Sequence, residues 1–463
     1  MKSENVMETV VGFLVAVLVG TAGAAGLKTE EAAFQAQIDA AAARGGGRVV
    51  VPAGRHVVGP LYLRSGVELH LEEGALLEGV PDRRRYKPHV LPNSEGSWSA
   101  VVMAFGVTNV AITGRGEIFG NGAKFENLKV PGGCSEGSRP RGVFFADSAR
   151  IRLEGFLLRD AACWGVVFKC CDGVEVRRLR IDSVANVNND GLDIEARNVL
   201  VEDCEIDTGD DAICVKSNDP QFCVENVLVR NCRVSSHCSA LKIGTASHGA
   251  IRNVRFENCR VTVPKRVYRD LIPMPADLST WPHVPGAPGY LCGPGICGIC
   301  VTCVDGGIVE DIAYDGISMN EVVVPVFLRG GMRLRRSCGI PPSTNRVFRN
   351  VVLSNIRGTS SQSLPSTITG VEGCRPKGVT LRNVDIACRG EGTSSLPTAV
   401  PGPEFAGQYP DARMFSRLRL PAYGLLVDQA DDVVLENVRF TLRPGKGDGR
   451  PAVAGKVRMA RQD

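Results

Sequence analysis

The chain has 463 residues, 44% of them hydrophobic and 22% charged, which is enough apolar material for a sizeable core. Lys and Arg number 54 against 50 Asp and Glu, a formal net charge of +4 that is too near balance for a nucleic-acid binder. The 53 glycines and only 6% aromatics argue against a helix bundle and for many tight turns between short aliphatic segments.

At the N-terminus, Lys2 precedes an uncharged run from Val10 to Ala25, and Ala22-Gly23-Ala24 supplies a small-x-small cleavage pattern. Residues 1–24 therefore read as an export signal, with Glu4 and Glu8 unusual in its first part. The alternative is an uncleaved anchor, for which the run is short. Cleavage would leave one unit, residues 25–463, secreted or periplasmic and free of the membrane. Next, Phe34 to Arg44 is Ala-rich with helical apolar spacing and runs into Gly45-Gly46-Gly47. It predicts a short helix capping one end of a solenoid. Strands are predicted at Arg48–Val51, Leu61–Leu63 and Val67–Leu71.

From residue 149 onward one phrase recurs: a polar residue, often Asn, then alternating residues, ending in Asn/Asp-Cys or a substitute. The clearest copies are Arg197–Cys204, Glu225–Cys232 and Arg252–Cys259. Weaker copies lie at 149–156, 172–179, 310–316, 349–356, 377–384 and 432–440. Each alternates apolar and polar residues, so each is a strand with one buried face. Most neighbours lie about 25 residues apart, the length of one coil of three short strands, so the architecture is all-β, a single-stranded parallel β-helix. Spacings near 39, 54 and 58 fit two coils or one coil with an insertion. Cys204, Cys232 and Cys259 hold equivalent places and read as a buried ladder of small hydrophobes rather than a disulfide framework, although the 17 cysteines are many. The phrase lapses in Pro-rich 264–294 and again near 389–422, which read as insertions walling a cleft.

Three aspartates carry the chemistry. Asp190 lies in Asn188-Asn189-Asp190-Gly191, and Asp210 and Asp211 lie in Gly209-Asp210-Asp211-Ala212. The offset from Asp190 to Asp211 is slightly less than one coil, so stacking sets them on adjacent coils of one outer face. Clustered carboxylates suit glycoside hydrolysis: one, held protonated by its neighbours' charge, donates to the leaving oxygen while the others bind and deprotonate water. The plainer reading is turn chemistry, since Asp-Gly and Gly-Asp-Asp are common turn sequences.

The stretch 188–217, NNDGLDIEARNVLVEDCEIDTGDDAICVKS, resembles the active-site coils of glycoside hydrolase family 28, the polygalacturonase family. That family shows Asn-Thr-Asp, then Asp-Asp a coil later, then Gly-His-Gly and Arg-Ile-Lys. The resemblance covers most of 30–440 and is strongest in 140–260. It implies a right-handed β-helix of pectin-acting type, a pectic, uronate-containing polysaccharide substrate, and inversion without metal or cofactor. It further implies Asp210 as general acid with Asp190 and Asp211 activating water. Two departures stand out. Aligned on Ile243-Gly244, Ser239 occupies the histidine's place and His237 lies two residues early. No Arg-Ile-Lys follows, which leaves Lys242 and Arg329 as candidate cations for a substrate carboxylate. His237, which an offset of two residues along a strand keeps on the same face, Asn188 and Lys216 complete the candidate substrate-binding set. A rhamnogalacturonan-type backbone is a substrate alternative.

Cys292, Cys297, Cys300 and Cys303 have spacing seen in metal ligation, but Cys300 to Val304 alternates like a strand, so strand packing is the preferred reading and no metal site is assigned. Trp281 and Tyr290, in the first insertion, are candidates for stacking on sugar rings. The rival functions are a polysaccharide lyase on the same fold and a non-catalytic carbohydrate-binding β-helix. Solenoids of this length are commonly monomers.

Overall fold

The computed structural model describes residues 29–94, 97–125, 139–266, 295–336, 341–392 and 394–460. Residues 1–24, read as an export signal, most of the first insertion with Trp281 and Tyr290, and Cys292 lie outside the described residues.

The described strands stack into a right-handed parallel β-helix. Three strand columns run its length. The first begins with Gly47–Val51, Val67–Leu71 and Thr108–Gly114 and ends with Asp431–Leu442 and Arg458–Met459. The second begins with Gly54–Val58, Ala75–Gly79 and Glu117–Phe119. The third includes Ala100–Phe105, Arg141–Ala146, the start of Leu192–Glu202, Ile213–Ser217, Ser239–Ser247, Cys297–Cys303 and Val324–Gly330.

Every copy of the repeat phrase is a strand of the first column. The wide spacings are each one coil with an insertion. Glu257 pairs with Asp315, Arg349 with Glu310 at a distance of 39 residues, and Asn437 bonds Asn383 across 54 residues. The phrase also encodes its own bends. Asn198, Asn226 and Asn253 sit at φ 55°, 56° and 50°, and Asp203, Asn231 and Asn258 at 56°, 56° and 52°. Asn and Asp tolerate this left-handed conformation better than other residues with a side chain. The first set also forms a ladder: Asn226 Nδ2 donates to Asn198 Oδ1 at 3.0 Å and Asn253 Nδ2 to Asn226 Oδ1 at 2.7 Å.

Inside, equivalent positions stack. Leu179, Cys204, Cys232, Cys259, Ile317 and Ile356 follow one another from coil to coil, all buried. The described cysteines are all free, as a packing ladder requires. Cys297, Cys300 and Cys303 lie on one buried strand, Cys303 in the main core and the other two packed on its outer side with Phe327 and Phe415. They pack rather than converge on a metal.

The capping helix spans Glu31–Ala43, three residues earlier at its start than the sequence suggests, and buries Phe34, Ile38 and Ala41 over the open end of the core. It stops at Gly45 and Gly46, φ +89° and +125°. A Cβ on Gly46 would also meet the Gly66 carbonyl oxygen at 2.6 Å. No helix among the described residues is long and apolar enough to cross a membrane.

Candidate active site

The site lies where three loops enter adjacent strands of the third column. Leu192 pairs with Ile213 and Ile213 with Leu241. The loops keep that register: Gly191 N donates to Asp211 O at 2.8 Å and Ala212 N to Ser239 O at 2.9 Å. Asp190, Asp211 and Ser239 therefore occupy one column on consecutive rungs, about 4.8 Å apart by strand spacing. Gly191 is required by this approach, because a Cβ there would meet the Ala212 carbonyl oxygen at 2.3 Å. The turn residues around Asp190 thus bring two carboxylates together.

Each carboxylate has distinct surroundings. Asp190 is buried, and its Oδ1 has no hydrogen-bond partner. Burial raises its pKa well above the ordinary carboxylate range, and the charges of Asp193, Asp210 and Asp211 add to the rise against the opposing Lys216 ammonium. Asp211, also buried, accepts from Lys242 Nζ at 2.6 Å through Oδ2 and from the Ser239 backbone N–H at 3.2 Å through Oδ1. Asp210 is half-buried; its Oδ1 accepts from the Asp211 N–H at 2.9 Å, and its carbonyl accepts from the Ser236 and Thr208 hydroxyls at 2.6 and 2.7 Å.

Lys216 joins the cluster from the strand after the aspartate pair. Its Nζ is 2.6 Å from Asp193 Oδ1 and 3.9 Å from Asp190 Oδ2, and it lies 4.4 Å from the centre of the Trp164 ring. Asn188, at φ 55°, accepts from Arg139 Nη2 at 3.0 Å. Asn189 is fully buried and donates to the Ala161 and Cys163 carbonyls at 2.7 and 3.3 Å, so it fixes the loop from behind.

Two further sequence candidates meet backbone carbonyls. His237 falls beside the preceding rung's Thr208, before the Asp190–Asp211–Ser239 column, with Nε2 2.7 Å from the Arg266 carbonyl oxygen. Arg329 lies two strands beyond Lys242, following the register Lys242–Cys300–Phe327. It is buried and donates to the Gly370 and Phe405 carbonyls, both at 3.1 Å. Burial brings its pKa down to about 10. In that position it pins the second insertion, whose Phe415 also packs on Phe327 and Phe405.

The structure adds three groups. Asp193 follows Asp190 by three residues and shares a register with Cys214 and Lys242, a relation the alternation of the strand makes readable. Tyr409, 46% exposed, comes from the second insertion; its hydroxyl bonds Thr245 Oγ1 at 3.2 Å, and Lys242 Nζ and the Arg333 guanidinium lie 6.0 and 5.7 Å from its ring centre. No sequence signal marks it, since the insertion has no repeat. Cys238 brings its sulfur within 4.8 Å of oxygens of Asp210 and Asp211, the one such grouping of potential metal ligands among the described residues. At Asp211 the Lys242 ammonium already supplies the positive charge.

The arrangement is a compact set of four carboxylates and two ammonium groups, able to hold and deliver protons at one point on the solenoid face. The family model for glycosyl hydrolases family 28 matches residues 45–264 and 300–401, well over half of the chain, including the four carboxylates and both lysines of this site. The chain belongs to glycosyl hydrolase family 28. Among curated relatives, a probable polygalacturonase of Vitis vinifera is 27% identical over 234 residues, 46% of this chain and 47% of the relative. One of Arabidopsis thaliana is 26% identical over 274 residues, 58% of this chain and 52% of the relative. The chain thus spans about half the length of these relatives. The solved family 28 exopolygalacturonase of Yersinia enterocolitica superposes with a TM-score of 0.66 at 18% identity, covering 93% of this chain and 75% of that one, a likeness of fold. Membership of a hydrolase family sets aside the lyase as the family assignment.

Proposed function

We propose that this chain hydrolyses glycosidic bonds in the backbone of a pectic polysaccharide, homogalacturonan or a rhamnogalacturonan, after export from the cell. The observation that carries the reading is the Asp190–Asp211 pairing on adjacent rungs with Asp210 beside them, inside a chain of a family whose relatives are named polygalacturonases.

Four carboxylates face two ammonium groups, so the cluster favours keeping a proton. Asp190 is the group pushed upward. Asp210, the more open carboxyl, delivers a proton to the leaving oxygen as general acid. Asp211, the carboxylate paired to an ammonium, deprotonates the attacking water, which Asp190 helps to bind, and direct attack inverts the anomeric centre. No metal or cofactor is assigned a step. Asn188, Lys216, His237 and Arg329 remain proposed contacts or supports for the polysaccharide, and the working unit is proposed to be a monomer.

The test is product release from homogalacturonan and from rhamnogalacturonan, with proton NMR of the new reducing end, for wild type and Asp210→Asn. Release with inverted configuration, lost in the variant, is expected. Release that survives Asp210→Asn would overturn the role of Asp210, and no release from either polymer would overturn the pectic reading.

A further inference from the structure

Resting on the hydrolase reading above, we infer that Lys242 is the positioning residue of the water-activating carboxylate: it orients Asp211 as an anion and does not bind the substrate. Its Nζ meets Asp211 Oδ2 at 2.6 Å while the Ser239 N–H meets Oδ1 at 3.2 Å, so the carboxylate is gripped through both oxygens. A carboxylate accepting at both oxygens, once from a cation, presents its remaining lone pairs in a fixed direction.

The surroundings commit Lys242 to this task. It is 3% exposed, with Cys214 on the preceding strand and Cys300 on the following one in register. The Tyr409 ring lies 6.0 Å from its ammonium, and Arg333 sits on the same ring. At 3% exposure a substrate carboxylate has little open surface of the ammonium to approach. Burial opposes its charge, yet the Asp211 carboxylate raises its pKa well above the ordinary lysine value, so the ammonium persists. The other cation of the cluster is committed in the same way, to Asp193 at 2.6 Å, with Asp190 farther off at 3.9 Å. Charge pairing thus separates the carboxylates: Asp211 has a cation of its own, while Asp190, facing Asp193, Asp210 and Asp211, does not. The column position that the family fills with histidine is Ser239 here, and its contribution is a backbone N–H to the same Asp211.

The experiment measures kcat, KM and the pH profile of kcat/KM for wild type, Lys242→Gln, Lys242→Arg and Asp211→Asn. The substrates are the backbone the wild type cleaves and its methyl-esterified form. Lys242→Gln is expected to lower kcat about 100-fold on both substrates, on the scale of a lost acid/base contribution. Its KM should stay within about twofold, and its acid limb should move up as the base loses its cation. Lys242→Arg should recover most of kcat and the wild-type acid limb, and it serves as the test if the Gln variant does not fold. A KM rise confined to the unesterified substrate, in either variant, would make Lys242 a substrate contact and overturn the inference. Wild-type kcat and acid limb in Lys242→Gln, with Asp211→Asn inactive, would reject the inference alone. Activity retained in Asp211→Asn would reject Asp211 as the water-activating group and the inference with it, whereas absence of cleavage by the wild type would reject the hydrolase reading itself.

Discussion

Two ladders run across the same coils and differ in what they stack. On the first column, Asn198, Asn226 and Asn253 place like on like, each amide donating to the one before it. On the third, Asp190, Asp211 and Ser239 place a buried carboxylate with one unpartnered oxygen beside one that is paired to a lysine. The geometry is the same parallel register in both. An amide carries donor and acceptor, so repeating it satisfies every member; a carboxylate only accepts, so repeating it creates a deficit that protons and ammonium groups must fill. Stacked neutral groups therefore hold the solenoid together, and stacked charges are the basis of the chemistry proposed for it.

The sharpest way to break this comparison is to neutralise the charged ladder. Asp211→Asn should lower kcat by a factor of about 1,000 or more while leaving the far-ultraviolet circular dichroism of the β-helix unchanged; a variant that unfolds instead would make Asp211 part of the framework. The converse change is Asn226→Ala in the neutral ladder. It forces alanine to φ 56° and removes two amide hydrogen bonds. A loss of about 2 kcal/mol is expected in urea unfolding, with kcat intact, and Asn226→Gly should cost less because glycine accepts that φ.

A smaller effect separates the ladders by pH. Folding raises the proton affinity of Asp190, so that residue favours the folded state fully below the ordinary carboxylate pKa and loses its contribution as pH climbs through the raised value. Asp190→Asn should therefore raise Tm by about 2 °C or more at pH 7, with the gain shrinking toward pH 4. A gain independent of pH would mean that the neighbouring charges are not its source. The smallest effect belongs to the interior. Cys232→Val, within the buried ladder between Cys204 and Cys259, should change stability by less than about 1.5 kcal/mol, whereas a structural disulfide there would cost more.

The solenoid and its first column were legible because a coil repeats its demands. Every coil needs an alternating strand and left-handed bends, so Asn226-Val227 and Asn231-Cys232 recur with the period of the fold. Gaps of 39 and 54 residues were ambiguous from the chain alone, since length does not distinguish an extra coil from an insertion; pairing of Arg349 with Glu310 and of Asn437 with Asn383 decides it. Asp190 and Asp211 were readable as neighbours because their offset is nearly one coil. The partner of Asp211 was not. Lys242 carried a charge that the sequence alone suggested for the substrate, and its burial against Asp211 depends on which way a strand faces and on what covers it.

By itself, then, the sequence determined the coil period, the buried faces, the capping helix and the stacking of the aspartates, all of which follow from local alternation and translation along one axis. The tertiary structure decided which charges pair, that Arg329 pins the second insertion and that Tyr409 lies over Lys242. Those contacts join residues far apart in the chain through a non-repeating segment, and neither period nor composition specifies where such a segment folds back.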